Sequence, residues 1–163
     1  MSVIDVTTDI WNANRARTLA LLDKIAGMPD PVQVLGWRPG AGRAHIAWQL
    51  MHIGVTEELF ATERLLGTPP ADADLVARFR GGSTPDDSIP HVDEIRRLLE
   101  SSRSHLLETI GRFGDDDLAV VPKPLAERGW SLGKTLQVLA WHEPHHQGQA
   151  HITLNLWKAT QSL

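Results

Sequence analysis

Apolar residues recur at steps of three and four through most of the chain, the period of helices that bury one face. Four long segments carry it. The first is expected from about Thr8 to Ala26, capped by Thr7 or Thr8, with Ile10, Trp11, Leu21, Leu22 and Ile25 facing inward and Gly27, Pro29 and Pro31 ending it. A Pro- and Gly-rich connector, Gly36 to Gly42, leads to a second helix from about Arg43 to Leu66, with Ile46, Leu50, Ile53 and Phe60 in line. Gly67-Thr68-Pro69-Pro70 stops it. The third starts after Pro90 with Asp93 and Glu94 in its first turn, where the helix dipole favours acids. Its stripe is Val92, Ile95, Leu99, Ser102, Leu106, Thr109 and Phe113, broken by Gly114 and three aspartates. After Pro122 and Pro124, Ser131 is placed to cap a fourth helix that reaches about Lys158.

No stretch alternates with strand period, so the pattern predicts an all-α four-helix bundle, one domain over residues 1–163. The longest break, residues 67–90, is rich in Pro, Gly and Asp, with room for a short helical turn from Asp74 to Phe79. Two neighbouring helices that run the same way need a link travelling back about 36 Å, for 24 residues at 1.5 Å each. This segment is long enough, which places the crossover between the second and third helices.

The fourth helix breaks the apolar rule on its own inward stripe: Leu132, Leu136, Leu139, His142, His146, Gln149, Thr153 and Leu156. Buried polar side chains need partners, and a metal ion is the simplest one that His142 and His146 could share. Four residues apart, they lie one turn apart, with roughly 5 to 6 Å between Cβ atoms. Pro144 falls between them, where a proline breaks or kinks a helix at a cost of about 3 kcal/mol and frees the carbonyl of Ala140.

Read literally, His142-Glu143-Pro144-His145-His146 is the two-ligand zinc motif of metalloproteases. The protease reading fails, because only 17 residues follow His146 and none is acidic. The longer variant of that motif fails too, with Gln149 and Ile152 where its glycine and third histidine belong. A third ligand must come from another helix. His45 and His52 share a face of the second helix with Gln49, Thr56 and Glu63, and the mid-helix register favours His52, leaving His45 as a cap or supporting residue. The catalytic candidates are Glu143 and Gln149. Glu143 either accepts from an imidazole N–H and fixes its tautomer or is simply exposed; Gln149 could bond a metal-bound water. His145 is offset from the pair, His151 reads as structural, His91 as exposed at a helix start, and His105 has no motif behind it. Trp11, Trp48, Trp130, Trp141 and Trp157 read as core or interface packing.

Composition narrows the chemistry. The 163 residues contain no cysteine, so disulfides, thiolate-ligated zinc and a cysteine nucleophile are excluded, and no tyrosine. A net charge of -4 and a pI near 6.0 give no footprint for nucleic acid. No apolar run suits a membrane span or a leader, so a cytoplasmic protein is expected. A chain of this length buries a core without a structural metal, so a metal here would serve function.

Trp37-Arg38-Pro39-Gly40, the His45 to Glu58 stretch with His52, and His142-Glu143-Pro144-His145-His146-Gln147-Gly148-Gln149 resemble the DinB/YfiT superfamily of metal-dependent four-helix bundles over nearly the whole chain. The resemblance implies an up-down-down-up bundle with one crossover, a homodimer, and a metal site built from His52, His142 and His146. Family members often carry Arg or Lys where this chain has Gln147. Three imidazoles suit zinc or nickel first, with iron, cobalt and manganese also compatible. In several branches of the family the metal activates a low-molecular-weight thiol for transfer or isomerisation, which implies a small-molecule substrate and a thiol cofactor. The alternatives are a hydrolase using metal-bound hydroxide and a non-catalytic metal-binding stress-response bundle.

Overall fold

Ser2 and Asp5 each accept the other's backbone N–H at 2.9 Å, and the Asp115 carboxylate accepts from Val3 and Ile4. This double capping starts the first helix at its second residue's flank, not at Thr8. The computed structural model describes residues 1–161; Ser162 and Leu163, the end of the expected domain, lie outside it. Its long helices are α1 (Val3–Ala26), α3 (Ile46–Leu59), α5 (Val92–Ile110) and α6 (Leu132–Thr160), with short helices α2 (Pro31–Gly36) and α4 (Ala73–Phe79). The protein is all-α, with no strand among the described residues. No helix among them is long and apolar enough to cross a membrane.

Several expected boundaries move for identifiable reasons. Pro31 opens α2, where Asp30 caps the N–H of Gln33 at 3.0 Å; a proline at a first helical position loses no hydrogen bond. His45 caps α3, its Nδ1 accepting from the Trp48 N–H at 3.0 Å. The expected second helix does not run straight to Leu66, because a π-turn, Phe60–Arg64, follows α3. Pro144 does not break α6: the helix continues through it, and the side chain of Asn14 donates to the freed Ala140 carbonyl at 3.5 Å. Ser131 caps α6, accepting from Lys134 at 3.2 Å. Ile10, Trp141 and Leu156, expected inside or in packing, are 46%, 60% and 47% exposed.

α1 packs against α5 and α6, and α3 packs against the same two helices. α3 is buried nearly all round, and its buried polar residues Gln49, His52 and Glu57 find partners on other elements. Gly54 lets α5 approach it, since a Cβ there would meet Leu98 Cγ at 2.7 Å.

Within this apolar interior each long helix places one charge. Arg15, Glu57, Arg103 and Glu143 are all buried and form a closed, alternating ring. Arg15 bonds Glu57 and Glu143, each at 2.8 Å; Arg103 bonds Glu143 at 2.6 Å and also Glu57. Thr18 adds a hydroxyl to Glu143 at 2.7 Å, Ser102 one to Glu57 at 3.3 Å, and the Leu99 carbonyl accepts from Arg15. Burial alone would pull the Arg15 pKa down, but Glu57 and Glu143 outweigh it and the net shift is upward. The ring is neutral, so losing one member leaves an uncompensated buried charge, at a cost of about 3–5 kcal/mol. Glu57→Gln should therefore lose about that much in urea unfolding; a variant as stable as the wild type would contradict the ring.

Candidate metal centre

His52 lies near the middle of α3, and His142 and His146 lie one turn apart on α6. Each offers one ring nitrogen, and these three atoms lie within 4.8 Å of one another. His142 Nε2 is 3.1 Å from His52 Nε2, and the His146 ring centroid is 4.5 Å from each of the other two.

The second nitrogen of two of these rings is already committed. His52 Nδ1 lies 2.7 Å from the Phe79 carbonyl, which can only accept, so Nδ1 carries the hydrogen and Nε2 keeps its lone pair. His146 Nδ1 donates to Gln49 Oε1 at 2.6 Å, with the same consequence. A relay runs on: Gln49 Nε2 donates to Gln149 Oε1 at 2.9 Å, and Gln149 Nε2 donates to His145 Nε2 at 2.7 Å. Trp48 stacks on His52, with centroids 4.7 Å apart and planes 10° from parallel. Its indole N–H is held by Ser83 Oγ at 3.2 Å.

Burial, followed by the charges of neighbouring histidines, lowers the pKa of His142 to about 2 and that of His146 to about 3. Burial also lowers that of His52, against the opposing effect of its hydrogen bond to Phe79. All three are therefore neutral at pH 7, the form in which imidazole binds a metal. Three uncharged nitrogen donors, two of them with Nδ1 hydrogens fixed by acceptors, suit a divalent ion of the zinc group, so the residues fit.

Glu143, next to His142 in sequence, takes its hydrogen bonds from Arg15, Arg103 and Thr18, and none from a histidine among the described residues. The reason is angular: adjacent helix positions differ by about 100°, so the residue beside an edge-facing His142 points into the core. Gln149 sits at the cluster's edge, two hydrogen bonds from His146. His45, fully buried, also donates from Nε2 to the Asp86 carbonyl at 3.0 Å. His105 pairs with Glu58 at 2.9 Å, His145 is exposed and stacks on Trp141, and His91 and His151 are exposed.

Two supporting groups escaped the sequence reading. Gln49 was legible as a polar neighbour on the His52 face, although its acceptor role was not. The Phe79 carbonyl carries no side-chain signal at all. The all-α fold and its three-histidine cluster define a candidate metal-binding helical protein. The family model of the DinB superfamily matches residues 10–150, so the chain belongs to that superfamily. No curated protein matches the sequence.

Two outcomes are expected. Gln49→Leu, which frees the His146 ring, should weaken zinc binding by about 10–100-fold in a chelator competition; unchanged affinity would remove the anchoring role. The second concerns acid. Histidines whose folded pKa is depressed leave stability intact above their unfolded value of 6.5 and erode it as pH falls toward the folded values of about 3 and about 2. The urea midpoint of metal-free protein should fall below pH 6.5, and less steeply in His142→Ala; equal slopes would contradict this.

Proposed function

We propose that this protein is a divalent-metal-dependent enzyme that activates a low-molecular-weight thiol for transfer to, or isomerisation of, a small electrophilic molecule. The observation that carries the metal part of the reading is the convergence of three neutral imidazoles, two with Nδ1 already donating to an oxygen. His52, His142 and His146 would hold the ion. When bound there, a divalent cation supplies positive charge that favours the thiolate of an added thiol over the thiol.

The chain's own residues do the rest. Phe79 and Gln49 hold two imidazoles in one tautomer and orientation, which lowers the reorganisation that binding costs. The indole of Trp48 covers one face of His52 and excludes water from that side. The sequence has no cysteine, so the sulfur has to come from a small molecule. Family membership supports the thiol part of the reading. The same membership supports two further parts of the proposal, an up-down-down-up helix order with the crossover at the connector holding α4 and a homodimer; a cytoplasmic location is proposed beside them.

Untagged protein reconstituted with zinc or nickel should hold about one equivalent by elemental analysis, with His52→Ala and His146→Ala folded and metal-free. Loaded protein should consume thiols from a panel in the presence of an electrophile, and the two variants should not. Retention of stoichiometric metal by both variants would overturn the site. Hydrolysis of activated esters without thiol consumption would replace the reaction class.

A further inference from the structure

Glu58 follows Glu57 on α3, and the step of about 100° between neighbouring helix positions turns its carboxylate away from the buried ring. There Glu58 Oε2 meets His105 Nδ1 of α5 at 2.9 Å, with the two side chains 19% and 38% exposed. A carboxylate only accepts, so Nδ1 carries the hydrogen and the neutral ring keeps its lone pair on Nε2. The second carboxylate oxygen, Glu58 Oε1, takes no hydrogen bond among the described residues.

The pair lines a cavity of about 400 Å³, a size common among small-molecule sites. Val55 of α3, Leu98 of α5, and Leu75 and Val76 of α4 give it apolar walls. Its remaining polar side chains are acceptors or already engaged. Asp72 caps α4, its carboxylate accepting from the Leu75 N–H at 2.8 Å, and the Ser101 hydroxyl donates to the Leu98 carbonyl at 3.3 Å. Among the described residues no lysine or arginine lines the cavity, and neither do His52, His142 and His146, so it is separate from the metal centre. The adjoining recess, which shares Asp72 and Ser101, adds Arg97 and Glu94 together and so brings no net charge.

Four kinds of ligand suit this lining poorly. An anion would meet two carboxylates and no facing cation. A neutral apolar molecule would cover Glu58 Oε1 without supplying a donor in place of water. A metal ion needs convergent donors, and among the described residues His52, His142 and His146 are the group that provides them. A quaternary ammonium is held best by aromatic rings, and the His105 imidazole is the one ring among the described lining residues. A primary ammonium on an aliphatic body suits all of it: the N–H groups are donors for Glu58 Oε1 and His105 Nε2, and the body replaces water against valine and leucine walls. We propose that this cavity binds a small primary amine with an aliphatic body, its ammonium held by Glu58 and His105. The amine site does not depend on the function proposed above.

The test is calorimetric titration of metal-free and zinc-loaded full-length protein with hexylamine, hexanoate, hexanol and hexyltrimethylammonium. It is run at about pH 8, above the ordinary histidine range and below that of an alkylamine. Hexylamine should bind saturably in both states, and the other three about tenfold or more weakly, the scale of a lost charge-assisted contact. Glu58→Gln should weaken hexylamine binding by a similar factor. Ser101→Trp, at an exposed position on the cavity wall, should block it by filling the space, in a protein whose helicity and zinc content are unchanged. Equal hexylamine affinity in the wild type and both variants would overturn the site, as would hexanoate binding as tightly as hexylamine, or no saturable binding at all. Binding seen only with zinc loaded would also overturn it, because the metal would then be the receptor.

Discussion

The alternating ring of Arg15, Glu57, Arg103 and Glu143 is the constraint on which the rest of the molecule depends. Each of the four long helices contributes one charge, and each charge touches two of opposite sign. Apolar contacts between helices tolerate sliding and rotation, because one methyl group serves nearly as well as another. A buried charge has no such latitude. Shifting one helix by a turn would strand a carboxylate or guanidinium without its partners, at a cost comparable to a large share of a domain's net stability.

That registration sets up the histidine cluster. His142 immediately precedes Glu143, and His52 lies five positions before Glu57. Fixing the two glutamates therefore fixes the height and rotation of α3 against α6, and with them the distances between imidazoles. The connector between α3 and α5 supplies the second constraint. Arg38, in the Trp-Arg-Pro-Gly motif, donates to the carbonyls of Pro85 and Asp86 at 3.0 and 2.8 Å and to the Asp87 carboxylate at 2.9 Å. His45 also bonds the Asp86 carbonyl, and Arg78 bonds the Asp86 carboxylate at 2.7 Å. This tied segment follows the α4 terminus that puts the Phe79 carbonyl against His52.

Much of this was legible in the chain. Spacing alone put His142 and His146 on one face, and the mid-helix register favoured His52 over a residue that proves to be a cap. Two members of the ring also lie on the apolar stripes of their helices. Trp11, Arg15, Thr18, Leu22 and Ile25 step by four and three, and so do Ile46, Leu50, Ile53, Glu57 and Phe60. A lone charge in an apolar stripe carries no signal of its own in the sequence, because its partners stand on other helices. The inward stripe of α6 was drawn through His142 and His146, whereas the buried line runs through Leu139, Glu143, Ala150 and Leu154. The π-turn and the Phe79 carbonyl were beyond reach, because both are backbone events set by tertiary packing.

The central claim is a division of labour between two adjacent residues: His142 belongs to the metal site and Glu143 to the helix register. Elemental analysis of zinc-reconstituted, untagged Glu143→Gln beside His142→Ala, each verified as helical, tests it most directly. The account predicts about one equivalent of zinc in Glu143→Gln, whose amide oxygen can still accept from Arg15 and Thr18 and so hold the register in a folded protein, and none in His142→Ala. Loss of zinc from a folded Glu143→Gln, or its retention by His142→Ala, would contradict it.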